Sequence, residues 1–283
     1  MRKDKFCNSY RKSFMHKYEI VTVNYNNAEY SKTLIDNIKQ IRLDNLFDLR
    51  LTIVDNNSEK IDFDNLHEFS KSFDWVKIIR SDTNLGYFRG LNKGIEKANV
   101  KQGLLVCNND VIFEMNFFTK LSALNDVEAM VICPKVIAKN GRMQNPHCIS
   151  KFSKLRLFSH DLYYSNYYLG MIFYKLSSLF KFFSKYNLDD DKLQQRQKIH
   201  MGVGACYYLL PKFFEKYSLL DGRVFLWGEE ALLAGQVELA GGFSMYEPTL
   251  VVHHAENVSV AKIPSKKAYQ ISKQSYSIYR QYL

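Results

Sequence analysis

The chain has 283 residues, 46% of them hydrophobic and 24% charged, which is enough to close a full apolar core and excludes both wholesale disorder and a disulfide-stapled miniprotein. No apolar run approaches the roughly 20 residues of a membrane-spanning helix, and the N-terminus lacks the apolar region of a secretory signal, so a cytoplasmic location is expected. The formal net charge of +10 suits phosphate-rich partners, whether nucleic acid, anionic lipid or nucleotide, and does not choose among them. Five cysteines (Cys7, Cys107, Cys133, Cys148, Cys206) are odd in number, widely spaced and form no CxxC pair, which predicts reduced thiols.

The charge is patchy. Residues 1–17 carry six bases against Asp4 and read as a basic leader; residues 262–283 carry Lys262, Lys266, Lys267, Lys273 and Arg280 with no acid. The tail from 260 to 283 is expected to be helical, and residues 18–259 to form one domain, divided near 138/139 into a ligand-binding half and a more irregular second half.

The first ordered signal is residues 18–24, YEIVTVN, a β-branched run that enters the polar tract Tyr25-Asn26-Asn27 and reads as a buried strand. Tyr30, Leu34, Ile38 and Ile41 follow at helical spacing, with Asn26 or Asn27 as cap. Strands are predicted at 49–54, 76–79 and 103–107, with a helix including 95–98. Between them, residues 84–92 resemble a glycine-bearing phosphate loop but lack both the GxGxxG and the P-loop spacing. Strands alternating with helices predict an α/β fold with a doubly wound, mostly parallel, Rossmann-like sheet, whose ligands bind beyond the carboxyl ends of the strands. Asp55-Asn56-Asn57, Asn84 and Asn108-Asn109-Asp110 all fall at such ends.

Farther along, residues 151–186 interleave bases with aromatics. This is either a buried helical pair or a surface for anionic lipid. A small-residue cluster at 201–206 precedes a strand reaching Leu210, a Pro211-initiated helix and the Asp221-Gly222 turn. Gly228-Glu229-Glu230 opens another helix, and 249–252 is a last strand running into His253-His254.

Three groups carry chemistry. Asp110, after a buried strand, suits a hard divalent cation shared with a diphosphate, and His253 or His254 could add an imidazole ligand. The bland reading is an ordinary turn and a hydrogen-bonded histidine. Glu229 and Glu230 are acids at a helix start, favoured there by the macrodipole alone; alternatively one is a general base.

The order of these pieces resembles family 2 glycosyltransferases of the GT-A fold, in particular the bacterial branch that builds O-antigen, capsule and rhamnan chains, over about residues 18–259. The resemblance implies an inverting hexosyl- or rhamnosyltransferase that uses a UDP- or dTDP-sugar donor, Mg²⁺ or Mn²⁺, and a glycan or lipid-linked glycan acceptor. It implies that Asn24, Asn26, Asp55, Asn84, Gly86, Arg89, Asn92 and Asn109 hold the nucleotide-sugar, and that Asp110 stands in the DxD metal motif, with His254 or His253 completing it. Gly204 and Trp227 would lie on the acceptor side, Glu230 would be the catalytic base, and Glu229, also in the catalytic motif, would orient the loop or touch the acceptor. Asn108 replaces the first DxD carboxylate, Arg89 a small residue and Leu232 a second acid. A helical acceptor-side C-terminal part and peripheral contact with the inner face of an anionic membrane complete the expectation. No nucleic-acid partner is expected, since no RRM, KH or zinc-finger signature is present. Two rivals stand: a catalytically silent paralogue, and a protein binding nucleic acid or an anionic surface through its basic-aromatic segments.

Overall fold

A computed structural model describes residues 16–44, 46–124, 128–172, 193–255 and 265–283. The predicted leader up to residue 15 and much of the basic-aromatic segment, including Lys175, Lys181 and Lys185, lie outside the described residues.

The frame is a mixed sheet ordered β3-β2-β1-β4-β8-β6-β9-β5. β1 (His16–Asn24), β2 (Phe47–Asp55), β3 (Val76–Arg80) and β4 (Leu104–Asn108) run parallel. β8 (Cys206–Leu209) is antiparallel to both β4 and β6 (Val131–Ala138), β6 pairs in parallel with β9 (Ser244–His254), and β5 (Val111–Phe113) closes the edge antiparallel to β9. β7 (Gln197–Ile199) pairs with the start of β9. This α/β architecture agrees with the predicted fold class, and every antiparallel pair named involves β8 or β9.

β1 begins at His16, inside the stretch assigned to the leader, because its register with β2 continues to Phe47 and Asp48. The central strands are apolar on both faces, as strands covered by helices on both sides must be. Ile20, Leu49, Leu51 and Ile53 pack under helix Ala28–Arg42, while Val21, Leu104 and Val106 pack with Phe88 and Leu91 on the other side. The four cysteines among the described residues are buried free thiols.

The stretch 84–92 is not a loop. Gly86, at φ +80°, ends the turn, and helix Tyr87–Ile95 begins directly after it. Helix Glu229–Leu239 is buried on nearly every side, and Leu232 is fully buried in a cluster with Tyr276 and Tyr279. Those tyrosines belong to the C-terminal helix Ser265–Tyr279. That helix also receives the aromatic segment: Tyr164 stacks on Tyr276 with ring centres 4.3 Å apart, Tyr164 and Ser272 share a 2.7 Å hydrogen bond, and the Tyr276 hydroxyl donates to Asp161 at 2.7 Å. One side of the described basic-aromatic segment thus packs, half-buried, on the C-terminal helix, while Leu155, Phe158, Tyr168, Leu169 and Ile172 remain exposed. Among the described residues no helix is long and apolar enough to cross a membrane.

Candidate active site

Register brings the strand ends to one level: Asn24 pairs with Asp55, and Val23 with Asn108. Beyond them opens a cavity of about 850 Å³. Its floor is Asn108, Asn109 and Asp110; one wall carries Asn84, Gly86 and Tyr87; another carries Gly204, Trp227, Glu229 and Glu230; His254 and Lys267 also face it.

Asp110 is 6% exposed, and its Oδ1 lies 3.2 Å from Nε2 of His254. The Nδ1 atom of the same ring lies 2.8 Å from Oε1 of Gln144. An amide oxygen only accepts, so Nδ1 carries a proton and donates to Gln144, which leaves Nε2, beside the carboxylate and 3.2 Å from the Asn108 amide, as the ring atom available to a metal. A polar partner that fixes the tautomer in this way is the usual support of a metal-ligating histidine. The donor set of one carboxylate and one imidazole therefore fits Mg²⁺ or Mn²⁺. No group of three or more His, Cys, Asp or Glu gathers among the described residues, so the remaining ligands would be water and phosphate oxygens. His253 is exposed and sits between Ile137 of β6 and Ile112 of the edge strand β5, its side chain on the face opposite this pair, because neighbouring residues on a strand face opposite ways.

On the second wall, Glu230 Oε1 accepts from the Gly204 amide at 3.2 Å, and the Tyr87 hydroxyl donates to the Gly204 carbonyl at 3.0 Å. Trp227 and Gly228, at φ +63° and +96°, form the turn that starts the helix. A side chain at Gly228 would collide with the Tyr279 ring, and one at Gly86 with the Phe225 carbonyl, so both glycines are required by close approach as well as by φ. Glu229 is 5% exposed; burial first, and the neighbouring Glu230 charge second, push its pKa up to about 8.

A family model, Glycosyl transferase family 2, matches residues 19–217. The chain belongs to that family. No curated protein matches the sequence. Among solved structures, GalNAc-T7 with UDP, GalNAc and Mn²⁺ aligns with a TM-score of 0.58 at 13% identity, over 96% of this chain and 50% of that one. A mannosyltransferase from Pyrobaculum calidifontis in complex with GDP-Man and Mn²⁺ aligns at 0.55 and 12%, over 95% and 64%. Residues 1–349 of S. aureus TarS in complex with UDP-GlcNAc align at 0.54 and 11%, over 92% and 66%. The chain spans half to two thirds of these proteins, and at such identities they support the GT-A fold alone.

Within this family 2 domain, several residues expected to touch the nucleotide-sugar have other duties. Asn24 is fully buried and its Nδ2 is engaged by Asp55, Ser58 and Asp62 at 3.1, 3.1 and 2.9 Å. Asp55 is buried as well, bonded to Asn24 and the Ser58 amide. Asn26 holds the Glu59 amide. Arg89 is exposed and donates to the Gly222 carbonyl, and Asn92 bonds both the amide and the carbonyl of Leu220. Arg89 and Asn92 sit on the helix flank that braces the 220–222 turn, because helical periodicity carries them away from the Gly86 end. Asn84, Gly86 and Asn109 do line the cavity. Asn109 donates to Ser31 at 2.9 Å and to Asn24 at 3.2 Å, tying the floor to the first loop.

Sequence reasoning missed Tyr25, Asn56, Gln144 and Lys267, all of which face the cavity. Asn56 had a signal, standing between two residues already noted at a strand end; it donates to Asn84 and to the Gly86 carbonyl. Gln144 and Lys267 had none, because only the folded chain brings residues so distant in sequence to the floor.

Proposed function

We propose that the chain is an inverting glycosyltransferase that moves a hexosyl or rhamnosyl unit from a UDP- or dTDP-sugar to a hydroxyl of a growing, lipid-linked bacterial surface polysaccharide. The observation that carries the reading is the convergence, in one cavity, of the Asp110–His254 pair and the Glu229–Glu230 pair. The first suits a diphosphate leaving group, the second a hydroxyl nucleophile. Nucleotides and sugar nucleotides bound by GalNAc-T7, the Pyrobaculum mannosyltransferase and TarS support a donor of the same class here.

Glu230, held by the Gly204 amide, takes the proton of the acceptor hydroxyl as that oxygen attacks the anomeric carbon from the face opposite the leaving diphosphate. Asp110 and His254 would hold Mg²⁺ or Mn²⁺, which would supply positive charge to the departing phosphates. Lys267, a cation of the C-terminal helix facing the same cavity, adds to that charge. Asn84 presents its side chain to the nucleotide-sugar, with the buried Asn56 and Asn109 bracing the loops that form the cavity.

We further propose that the exposed Leu155, Phe158, Tyr168, Leu169 and Ile172, with the bases around them, rest on the inner membrane surface and bring the cavity to the acceptor. A thermal-shift panel of UDP-, dTDP- and GDP-sugars with and without Mn²⁺ tests the core of the reading, since only ligands of the native state raise the melting temperature. A metal-dependent shift with a UDP- or dTDP-sugar, followed by donor hydrolysis without acceptor, supports an active enzyme. Absence of both supports the silent paralogue.

A further inference from the structure

Glu229 lies in the first turn of helix Glu229–Leu239, where the helix dipole favours a carboxylate. Its surroundings oppose that charge. The side chain belongs to the cavity wall yet is 5% exposed, and Oε1 is sealed from solvent with no hydrogen-bond partner in the structure. The titratable groups around it are Glu230 on the same helix, Tyr87 from the helix that starts after Gly86, and Tyr207 from β8. Both tyrosines are held neutral by burial. No cation is among the groups acting on this carboxyl, and Lys267, though it faces the same cavity, is exposed. An ionised carboxylate there would be buried and beside a second carboxylate, with its own backbone N–H as the donor acting on it, and the first two outweigh the third in favour of the neutral acid.

We propose that Glu229 is a sugar-recognition residue: a neutral carboxylic acid whose O–H donates to a substrate hydroxyl in the cavity, beside a Glu230 that works as the carboxylate. That the ligand is a sugar rests on the transferase reading; that the carboxyl is neutral rests on the fold alone. The raised pKa of about 8 agrees with it.

The test has two arms. In the first, melting temperatures of the whole chain and of Glu229→Gln are compared from pH 5 to pH 9. A carboxyl with a folded pKa above its unfolded value, about 4.3, favours the folded state most below that value and loses the contribution as pH rises towards the folded pKa. Glu229→Gln should therefore melt above the parent at pH 8, by a margin that shrinks towards pH 5. A pH-independent difference, or a parent more stable than the variant at pH 8 alone, overturns the neutral acid.

In the second arm, parent kcat/KM should fall about tenfold per pH unit above pH 8, as loss of one essential proton requires. Glu229→Gln, which keeps a donor of similar reach, should lose less than about tenfold at pH 7 and lack that alkaline limb, while Glu229→Met should lose about 100-fold. A rise in acceptor KM places the hydroxyl on the acceptor, and a rise in donor KM places it on the donor sugar. If Glu229→Gln is as damaged as Glu230→Gln, the recognition role is wrong. If the parent transfers no sugar, the transferase reading fails and recognition with it, while the melting arm still decides the protonation state.

Discussion

His254 turns Nε2 towards Asp110 Oδ1 at 3.2 Å, whereas His253, one residue earlier on β9, is exposed on the other face of the sheet. Strand alternation thus separates two histidines that are indistinguishable by composition. Asp110→Ala should abolish the Mn²⁺ dependence of UDP or dTDP binding in calorimetry. His254→Ala should weaken it markedly, Gln144→Ala by about tenfold through loss of ring orientation, and His253→Ala not at all. Equal nucleotide affinity in EDTA and in Mn²⁺ would show that the Asp110–His254 pair does not serve a metal.

Glu230 is anchored through Oε1 to the Gly204 amide, a contact that a glutamine oxygen can also accept. Glu230→Gln should therefore keep the fold and donor affinity while lowering the transfer rate by roughly 10²-fold or more, the usual scale for removing a general base. Single-turnover rates with saturating donor separate the two effects, and near-parental turnover would remove Glu230 from the mechanism.

Much of the frame was legible because parallel strands buried on both faces read as apolar runs. The strands through Asn24, Asp55 and Asn108 and helix Ala28–Arg42 announced themselves in this way. Short elements such as β5 and β7, three residues each, carry too little pattern to be seen, and they form because β9 offers an edge. The site divided along similar lines. Polar residues at strand ends were visible as a class, but which of them faces the ligand depends on three-dimensional bonding. Asn24 and Asp55 look like ligand groups in sequence, yet they are consumed by each other, and Arg89 is carried round its helix to Gly222.

That Asn24–Asp55 contact makes a stability prediction. One amide nitrogen serves Asp55 and Asp62 together in the interior of the first loop. Asn24→Asp would replace the shared donor with a third acid, which repels both partners when ionised. Crowding raises the folded-state carboxyl pKa values above their unfolded ones, so the deficit should grow as pH rises through the carboxylate range and ease below about pH 4. Urea melts at pH 4 and pH 7 should show a loss of about 3 kcal/mol or more at the higher pH, with a smaller loss for Asn24→Ser at that pH.

Lys267 is exposed and lines the cavity. A cation facing the same cavity as the Asp110–His254 pair should meet the donor phosphates electrostatically, at a strength screened by salt. Lys267→Ala should raise the donor KM several-fold at low ionic strength, with the difference shrinking in 0.5 M NaCl, and should leave the melting temperature unchanged. A salt-insensitive effect would assign Lys267 a packing role instead.

The last prediction concerns the outer face of the aromatic segment. Tyr163 and Tyr164 turn inwards onto Tyr269 and Tyr276, so substituting them should unfold the C-terminal helix whether or not a membrane is present. Leu155 and Phe158 are 78% and 63% exposed, so making them polar removes little buried apolar surface. If this face meets lipid, Leu155→Ser with Phe158→Ser should release the protein from anionic vesicles in a flotation assay while leaving its melting temperature intact. Apolar insertion and basic attraction to the headgroups act together at such a surface, so the parent should also float less well at 0.5 M NaCl. A parent chain that never floats with anionic vesicles at low salt would sink the membrane-docking proposal, and the acceptor would then have to reach the cavity from solution.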